Sequence, residues 1–357
     1  MRIEARAPAK LVLMGEYAVL EGAPAIVAAV NRLVRVELVP APKSPEAAGP
    51  WTVATDLAGG QEAALRCDAD GALESGADWL RPVVSVLTRA AASAGLRPAD
   101  LPGGRITIES ASLYVDAGET KLGLGSSAAV VAALSAALHE ALVHWALAPP
   151  AANSLAEDLA AHRAVQAGQG SGVDVAASVI GGILRYQLVD GQPRAEPLAL
   201  PEGVEFGVVW TGVATSTPAF VQTVHAWKAA QPEAYRREMD TLCALAERAV
   251  AACRENDAAA FLGTVRGYRE ALDGLGRGAD LPIVSTAHRA IADLAEGEGV
   301  AYKPSGAGGG DVGLLFASSR PALVQAGRLA ERAGYRLLDL GVHPVGVQVI
   351  RHERTAS

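Results

Sequence analysis

The chain has 357 residues, half of them hydrophobic and a fifth charged, with a net charge of −8 and an isoelectric point near 5.5. That length exceeds the roughly 100–200 residues that one core usually serves, so two domains are expected, and the apolar content excludes a disordered chain or a coiled coil. The acidic balance excludes sequence-independent nucleic-acid binding, which needs a basic surface, and Cys67, Cys243 and Cys253 lack the spacing of a disulfide framework or a metal site, which predicts a reducing compartment.

From the N-terminus, Ile3 to Met14 predicts a strand, and Pro24 to Val39 a second one rich in Val and Ile. The apolar run Leu11 to Met14 is too short for a signal-peptide core or a membrane span, so a cytoplasmic protein without a membrane partner is expected. Pro40 to Pro50 predicts a polar connection. Ile106 and Ile108 alternate with Thr107 and Glu109, a strand pattern within Arg105 to Val115 that leads to a turn at Asp116-Ala117-Gly118-Glu119. Ser126 to Trp145, dense in Ala and Leu, predicts a buried helix capped by its opening serines. A helix over Asn153 to Gln166, closed by Gly168, and a strand over Ile183 to Leu188 follow.

The turn Asp190-Gly191-Gln192-Pro193 marks the expected domain boundary, giving domains 1–192 and 193–357. Beyond it come a strand, Val204 to Trp210, a helix opening at Thr217-Pro218, and helical stretches to about Glu298. The chain ends with a glycine-rich loop, a strand over Val312 to Ala317, a helix near Pro321 to Ala333, and two strands about a His343-Pro344 turn. Helices and strands mixed in this order predict an α+β fold.

The chemistry concentrates in Lys121-Leu122-Gly123-Leu124-Gly125-Ser126-Ser127-Ala128-Ala129, which runs directly into the long helix. Glycines allow close approach of the backbone to an anion, and the free amides and dipole of a helix start favour one, so this is a phosphate cradle or a capped helix after a glycine turn. It lacks the Gly-Lys-Ser/Thr ending of a Walker A loop. Gly123 to Ala128 also fits the dinucleotide pattern, but that pattern needs a buried strand before it, and a polar turn stands there.

Three segments together resemble the GHMP kinases, the superfamily of galactokinase, homoserine kinase and mevalonate kinase: Pro8-Ala9-Lys10 through Gly15-Glu16-Tyr17-Ala18-Val19-Leu20, Gly123 to Ala129, and Lys303-Pro304-Ser305-Gly306-Ala307-Gly308-Gly309-Gly310-Asp311. They stand in the superfamily's order over nearly the whole chain. The resemblance implies a ribosomal protein S5 domain 2-like N-terminal domain, a ferredoxin-like C-terminal domain, and an active site between them that uses ATP and Mg²⁺. Within the superfamily, Lys121 before the loop, Gly170-Ser171-Gly172-Val173-Asp174 and Ser216-Thr217-Pro218 are most similar to the phosphomevalonate kinase family. Mevalonate kinase, or another member acting on an alcohol, is the alternative.

Carried over residue by residue, the resemblance implies Asp174 and Lys10 as catalytic. Lys121, Gly123, Leu124, Gly125, Ser126, Ser127 and Ala128 would hold ATP, with Ser127 on the metal and Ser126 as the cap. Lys10, Tyr17, Ser171, Ser216, Thr217, Gly306, Ala307 and Gly308 would meet the acceptor. Each has a plainer reading as well: Asp174 as a turn aspartate, Lys10 as a snorkelling edge residue, Glu16 as a surface carboxylate, Ser216 and Thr217 as helix caps. The expected partner is a small anionic metabolite, with no nucleic acid and no membrane, and a homodimer is left open.

Overall fold

The computed structural model describes residues 1–42, 51–74, 76–115, 120–149, 155–166, 168 and 170–352. The turn expected at Asp116 to Glu119, most of the connection from Pro40 to Pro50, and the helix start expected at Asn153 lie outside them.

The first layer is a mixed sheet built on one long hairpin, β1 (Arg2–Met14) and β2 (Ala25–Pro40). Its turn brings Gly15 so close to Ala25 that a side-chain carbon there would stand 2.6 Å from the Ala25 Cα. The second half of β1 is buried without interruption, as in a strand covered on both faces. Pro8 is tolerated within it because the register slips between Pro8 and Ala9.

Around the hairpin lie β3 (Trp51–Thr55), β4 (Gln61–Ala64), β5 (Gly104–Glu109), β8 (Ile183–Val189), β9 (Gln192–Pro197) and β14 (Gln348–His352), in the path β14-β1-β2-β5-β3-β4 with β8 and β9 branching from β2. The short pair β6 (Tyr114–Val115) and β7 (Thr120–Lys121) delivers the chain to the glycine loop. Helices α1 (Arg81–Ser93), α2 (Ser126–His144), α3 (Leu155–Val165) and α4 (Val173–Ile180) complete this layer. The α2 helix is long and apolar enough to cross a membrane, but two-thirds of its apolar stretch is buried in the protein, and it packs on β1 and β2 as the core helix.

The second layer is a four-stranded antiparallel sheet in the order β11-β12-β10-β13, from β10 (Glu205–Trp210), β11 (Ala301–Pro304), β12 (Val312–Ala317) and β13 (Arg336–Leu338). It carries α5 (Thr217–Ala230), α6 (Pro232–Arg254), α7 (Ala258–Gly278), α8 (Thr286–Gly297) and α9 (Arg320–Arg332).

Two local expectations need correction. No serine side chain caps α2: its N-cap is Gly125 in the left-handed conformation, and Ser126 is the first helical residue. Thr217 does not cap α5 either, since Ser216 holds the N-cap position and no side chain there accepts a capping bond. The two strands expected about the His343-Pro344 turn are present and diverge: β13 joins β10 while β14 crosses to β1, because the intervening segment bonds to β2 through the His343 amide and the Ala29 carbonyl, 2.9 Å apart. The boundary expected after residue 192 falls within the β8–β9 hairpin, whose turn is Asp190-Gly191.

Candidate active site

The glycine loop leaves β7 at Lys121 and enters α2 at Ser126. Leu122 and Leu124 are buried anchors, while Gly123 and Gly125 between them both adopt a φ of +76°. A side-chain carbon on Gly125 would stand 2.9 Å from the Lys10 Cε, and one on Gly123 would stand 2.6 Å from the Asp311 carboxyl group. Only glycine fits either conformation and either space. With no side-chain cap, the first amides of α2 are left for a ligand, which is the arrangement that favours an anion.

The loop opens on a cavity of about 720 Å³ between the two layers, where the N-terminal ends of three helices meet: Ser126 and Ser127 of α2, Val173 and Asp174 of α4, and Ser216, Thr217 and Pro218 at α5. Lys10 and Lys121 line the same space. Glu16, Asp174 and Asp311 line it too, so the places suited to anions are the two ammonium groups and the three helix starts.

Lys10 does not snorkel from an open edge, because the glycine loop covers β1 there. It is buried in β1, its amide donates to the Leu124 carbonyl at 3.0 Å, and its ammonium group donates to the Gly123 carbonyl at 3.4 Å. Asp174 stands in the first turn of α4, where the Val175 amide donates to its Oδ1 at 3.0 Å. The adjoining His162 of α3 is 1% exposed; its Nε2 is 3.2 Å from the Ser127 Oγ and its Nδ1 is 3.8 Å from the Asp174 Oδ1.

On the facing side, Tyr17 adopts a φ of 59°, unusual for a non-glycine residue, and its hydroxyl donates to the Ala307 carbonyl at 2.6 Å. That bond joins the two layers at the cavity wall. Burial pushes the Tyr17 phenol above its ordinary range. Gly306 and Ala307 line the cavity, as does Ser171, whose carbonyl accepts the Tyr186 hydroxyl at 2.6 Å. Gly308 and Ala128 do not line it. A side-chain carbon on Gly308 would meet the Ile283 carbonyl at 2.4 Å, and Ala128 is packed with Leu159 and Val175.

Glu16 is not a surface carboxylate. It is 4% exposed and pairs at 2.5 Å with the fully buried Lys303, whose ammonium group also donates to the Pro304 carbonyl at 2.6 Å. The Tyr268 hydroxyl donates to the Glu16 carbonyl at 2.7 Å, which ties α7 to the β1–β2 turn. Burial raises the Glu16 carboxyl above its usual range, and the Lys303 ammonium opposes that rise.

Asp311 is the third carboxylate lining the cleft, with Asp174 and Glu16. Its Oδ1 accepts the Thr215 amide at 3.0 Å, and burial raises its carboxyl above the ordinary range while the Thr215 amide, Lys10 and Lys121 act against this. Sequence reasoning assigned no role to His162, Lys303 or Asp311. Lys303 and Asp311 stand at the two ends of a motif that was recognised. His162 has no linear signal, because it meets Ser127 across 35 residues of chain.

A model of the GHMP kinases N terminal domain matches residues 83–182. The phosphomevalonate kinase of Streptomyces sp. (strain CL190) is 32% identical, over 94% of this chain and 95% of that protein. Among solved structures, the Lin0012 protein from Listeria innocua superposes with a TM-score of 0.83 at 24% identity, covering 99% of this chain and 100% of its own. The Streptococcus pneumoniae phosphomevalonate kinase, in complex with phosphomevalonate and AMPPNP, gives 0.74 at 19% identity, covering 95% and 99%. With the α+β architecture in two layers and the cleft between them, these likenesses establish that the chain belongs to the GHMP kinases, in the family of the phosphomevalonate kinases.

Proposed function

We propose that this chain catalyses transfer of the γ-phosphoryl group of ATP to phosphomevalonate, giving diphosphomevalonate and ADP. The observation that carries the mechanism is the uncapped start of α2, presented with Lys10 and Asp174 in one cavity. The reading of the acceptor is supported by the near full-length relative named above.

In this reading the amides of Gly125, Ser126 and Ser127 receive the ATP phosphates, and Lys121 flanks them. An oxygen of the acceptor phosphate attacks the γ-phosphorus, the bond to the β,γ-bridging oxygen breaks, and ADP leaves with that electron pair. Lys10, fixed between its strand and the Gly123 carbonyl, offsets the charge that builds between donor and acceptor. The start of α5 at Ser216 and Thr217, with Tyr17, Ser171, Gly306 and Ala307, holds the acceptor from the opposite side.

A magnesium ion fits the donors present. The Ser127 hydroxyl and the Asp174 carboxylate are hard oxygen ligands in the same cavity, and among the described residues no group of three His, Cys, Asp or Glu forms a metal cage, which suits an ion bound mainly through nucleotide phosphates. When bound, it would neutralise phosphate charge as the transferred group moves. The acceptor phosphate, with a second pKa of about 6, is mostly dianionic at neutral pH, so Asp174 has little proton to remove and acts chiefly by positioning.

A coupled assay for ADP with phosphomevalonate, mevalonate, galactose and homoserine in parallel tests the proposal. Turnover of phosphomevalonate alone is expected. Turnover of mevalonate with none of phosphomevalonate would transfer the reading to an alcohol acceptor.

A further inference from the structure

We infer that His162 is a positioning residue that aims the Ser127 hydroxyl at the bound cation and sets its distance from Asp174. The inference rests on the kinase reading above and adds to it a residue between two of its groups.

The imidazole lies between the start of α2 and the start of α4, with one nitrogen toward each: Nε2 at 3.2 Å from the Ser127 Oγ and Nδ1 at 3.8 Å from the Asp174 Oδ1. At 1% exposure it has no solvent to turn into. A carboxylate can only accept, so the singly protonated ring is most stable with its hydrogen on Nδ1, facing Asp174. Nε2 then carries the lone pair and accepts the Ser127 hydroxyl proton. Ser127 is thereby fixed as a donor toward α3, and its oxygen lone pairs are turned to the cavity, where a hard cation needs them. Without that acceptor the hydroxyl proton is free to rotate into the position of the ion, and Asp174 loses the imidazole that stands between it and Ser127. The ring thus connects the group that receives the cation with the group at the reacting centre, as ring nitrogens do for ligands in metal sites generally.

Two conservative replacements separate the halves of this role. In His162→Gln the side-chain amide reaches the place of Nε2, so its oxygen still accepts from Ser127, but nothing remains at the place of Nδ1. In His162→Asn the amide reaches the place of Nδ1 and keeps a polar N–H facing Asp174, but it falls short of Ser127.

The probes are Mn²⁺ with AMPPNP, followed by electron paramagnetic resonance, and kcat with saturating ATP. His162→Gln should hold the Mn²⁺ complex within about twofold of wild type while kcat falls about tenfold, as the 3.8 Å contact of Nδ1 with the Asp174 carboxylate is lost. His162→Asn should weaken the Mn²⁺ complex about tenfold, leave AMPPNP binding without metal unchanged, and have no further effect in a Ser127→Ala background. Equal losses of affinity and kcat in both variants, or losses that add to that of Ser127→Ala, would reduce His162 to packing. Should neither variant fold, nitrogen-15 spectra of the wild-type imidazoles decide the matter. The ring whose unprotonated nitrogen shifts in Ser127→Ala must carry its hydrogen on Nδ1, and a hydrogen on Nε2 would overturn the inference. Binding of Mn²⁺ and AMPPNP does not involve the acceptor, so a wrong acceptor leaves this test intact.

Discussion

Two side chains with similar positions in the cleft have different work to do. In the proposed reaction Lys10 would face charge throughout transfer, whereas Asp174 would meet an acceptor that is already ionised. Lys10→Met should therefore remove most of the activity, by about 10²-fold or more in kcat, with little change in fold, since its methylene stem is what packs against Gly125. Asp174→Asn should also be impaired, and the loss should be nearly constant between about pH 6 and 9, the range above the acceptor's second pKa near 6. The measurement is kcat against pH for wild type and variant. A steep recovery of Asp174→Asn toward high pH would assign the aspartate to general-base catalysis on a hydroxyl.

At the scale of the element, the start of α2 suits the proposed role at the nucleotide because it is left uncapped. Gly125 at the N-cap supplies a left-handed turn and stands against the Lys10 stem, so the same residue shapes the loop and places the lysine. Gly125→Ala should cost about 1–2 kcal/mol from the positive φ alone, and the added methyl must also displace Lys10. Gly191→Ala is the matched control: its φ is 74°, but a side-chain carbon there meets nothing within 4 Å. Both variants should lower Tm through the positive φ, Gly125→Ala by more because of the added methyl, and only Gly125→Ala should raise KM for ATP and depress kcat. Equal kinetics in the two would deny the loop its place at the nucleotide.

For the whole molecule, the contact between layers beside the site is the buried pair Glu16 and Lys303, flanked by the bonds from Tyr17 to Ala307 and Tyr268 to Glu16. Removing one partner strands a charge without water, which typically costs about 3–5 kcal/mol. Lys303→Met should show that loss by urea unfolding at neutral pH, and the double variant Glu16→Gln with Lys303→Met should recover a large part of it. The pH dependence has a definite sign. Burial already raises the Glu16 carboxyl, and loss of Lys303 raises it further, so the folded variant binds a proton that the unfolded chain has released. Stability of Lys303→Met relative to wild type should then improve as pH falls from neutral toward the ordinary carboxylate range. A deficit independent of pH would mean that Glu16 is not charged in the folded protein.

The sequence by itself determined the segments that carry chemistry, because those signals are local. Alternating burial at Ile106 and Ile108, the Ala-rich run of α2, and glycines at 123 and 125 each depend on a few neighbouring residues. Lys10, Ser127 and Asp174 were legible for the same reason, each within a short recognisable motif, and the cavity they share was implied by resemblance alone. What only the tertiary structure decided is which distant groups meet. Strand partners are chosen by the packing of whole layers, so β14 returns to β1 although only a turn at His343-Pro344 separates it from β13. Burial is likewise collective: Glu16 follows a glycine and reads as exposed, yet the second layer closes over it with Lys303 and Tyr268. His162 stands in a helix of ordinary composition, and only the packing of α2, α3 and α4 gives its ring a serine on one nitrogen and an aspartate near the other.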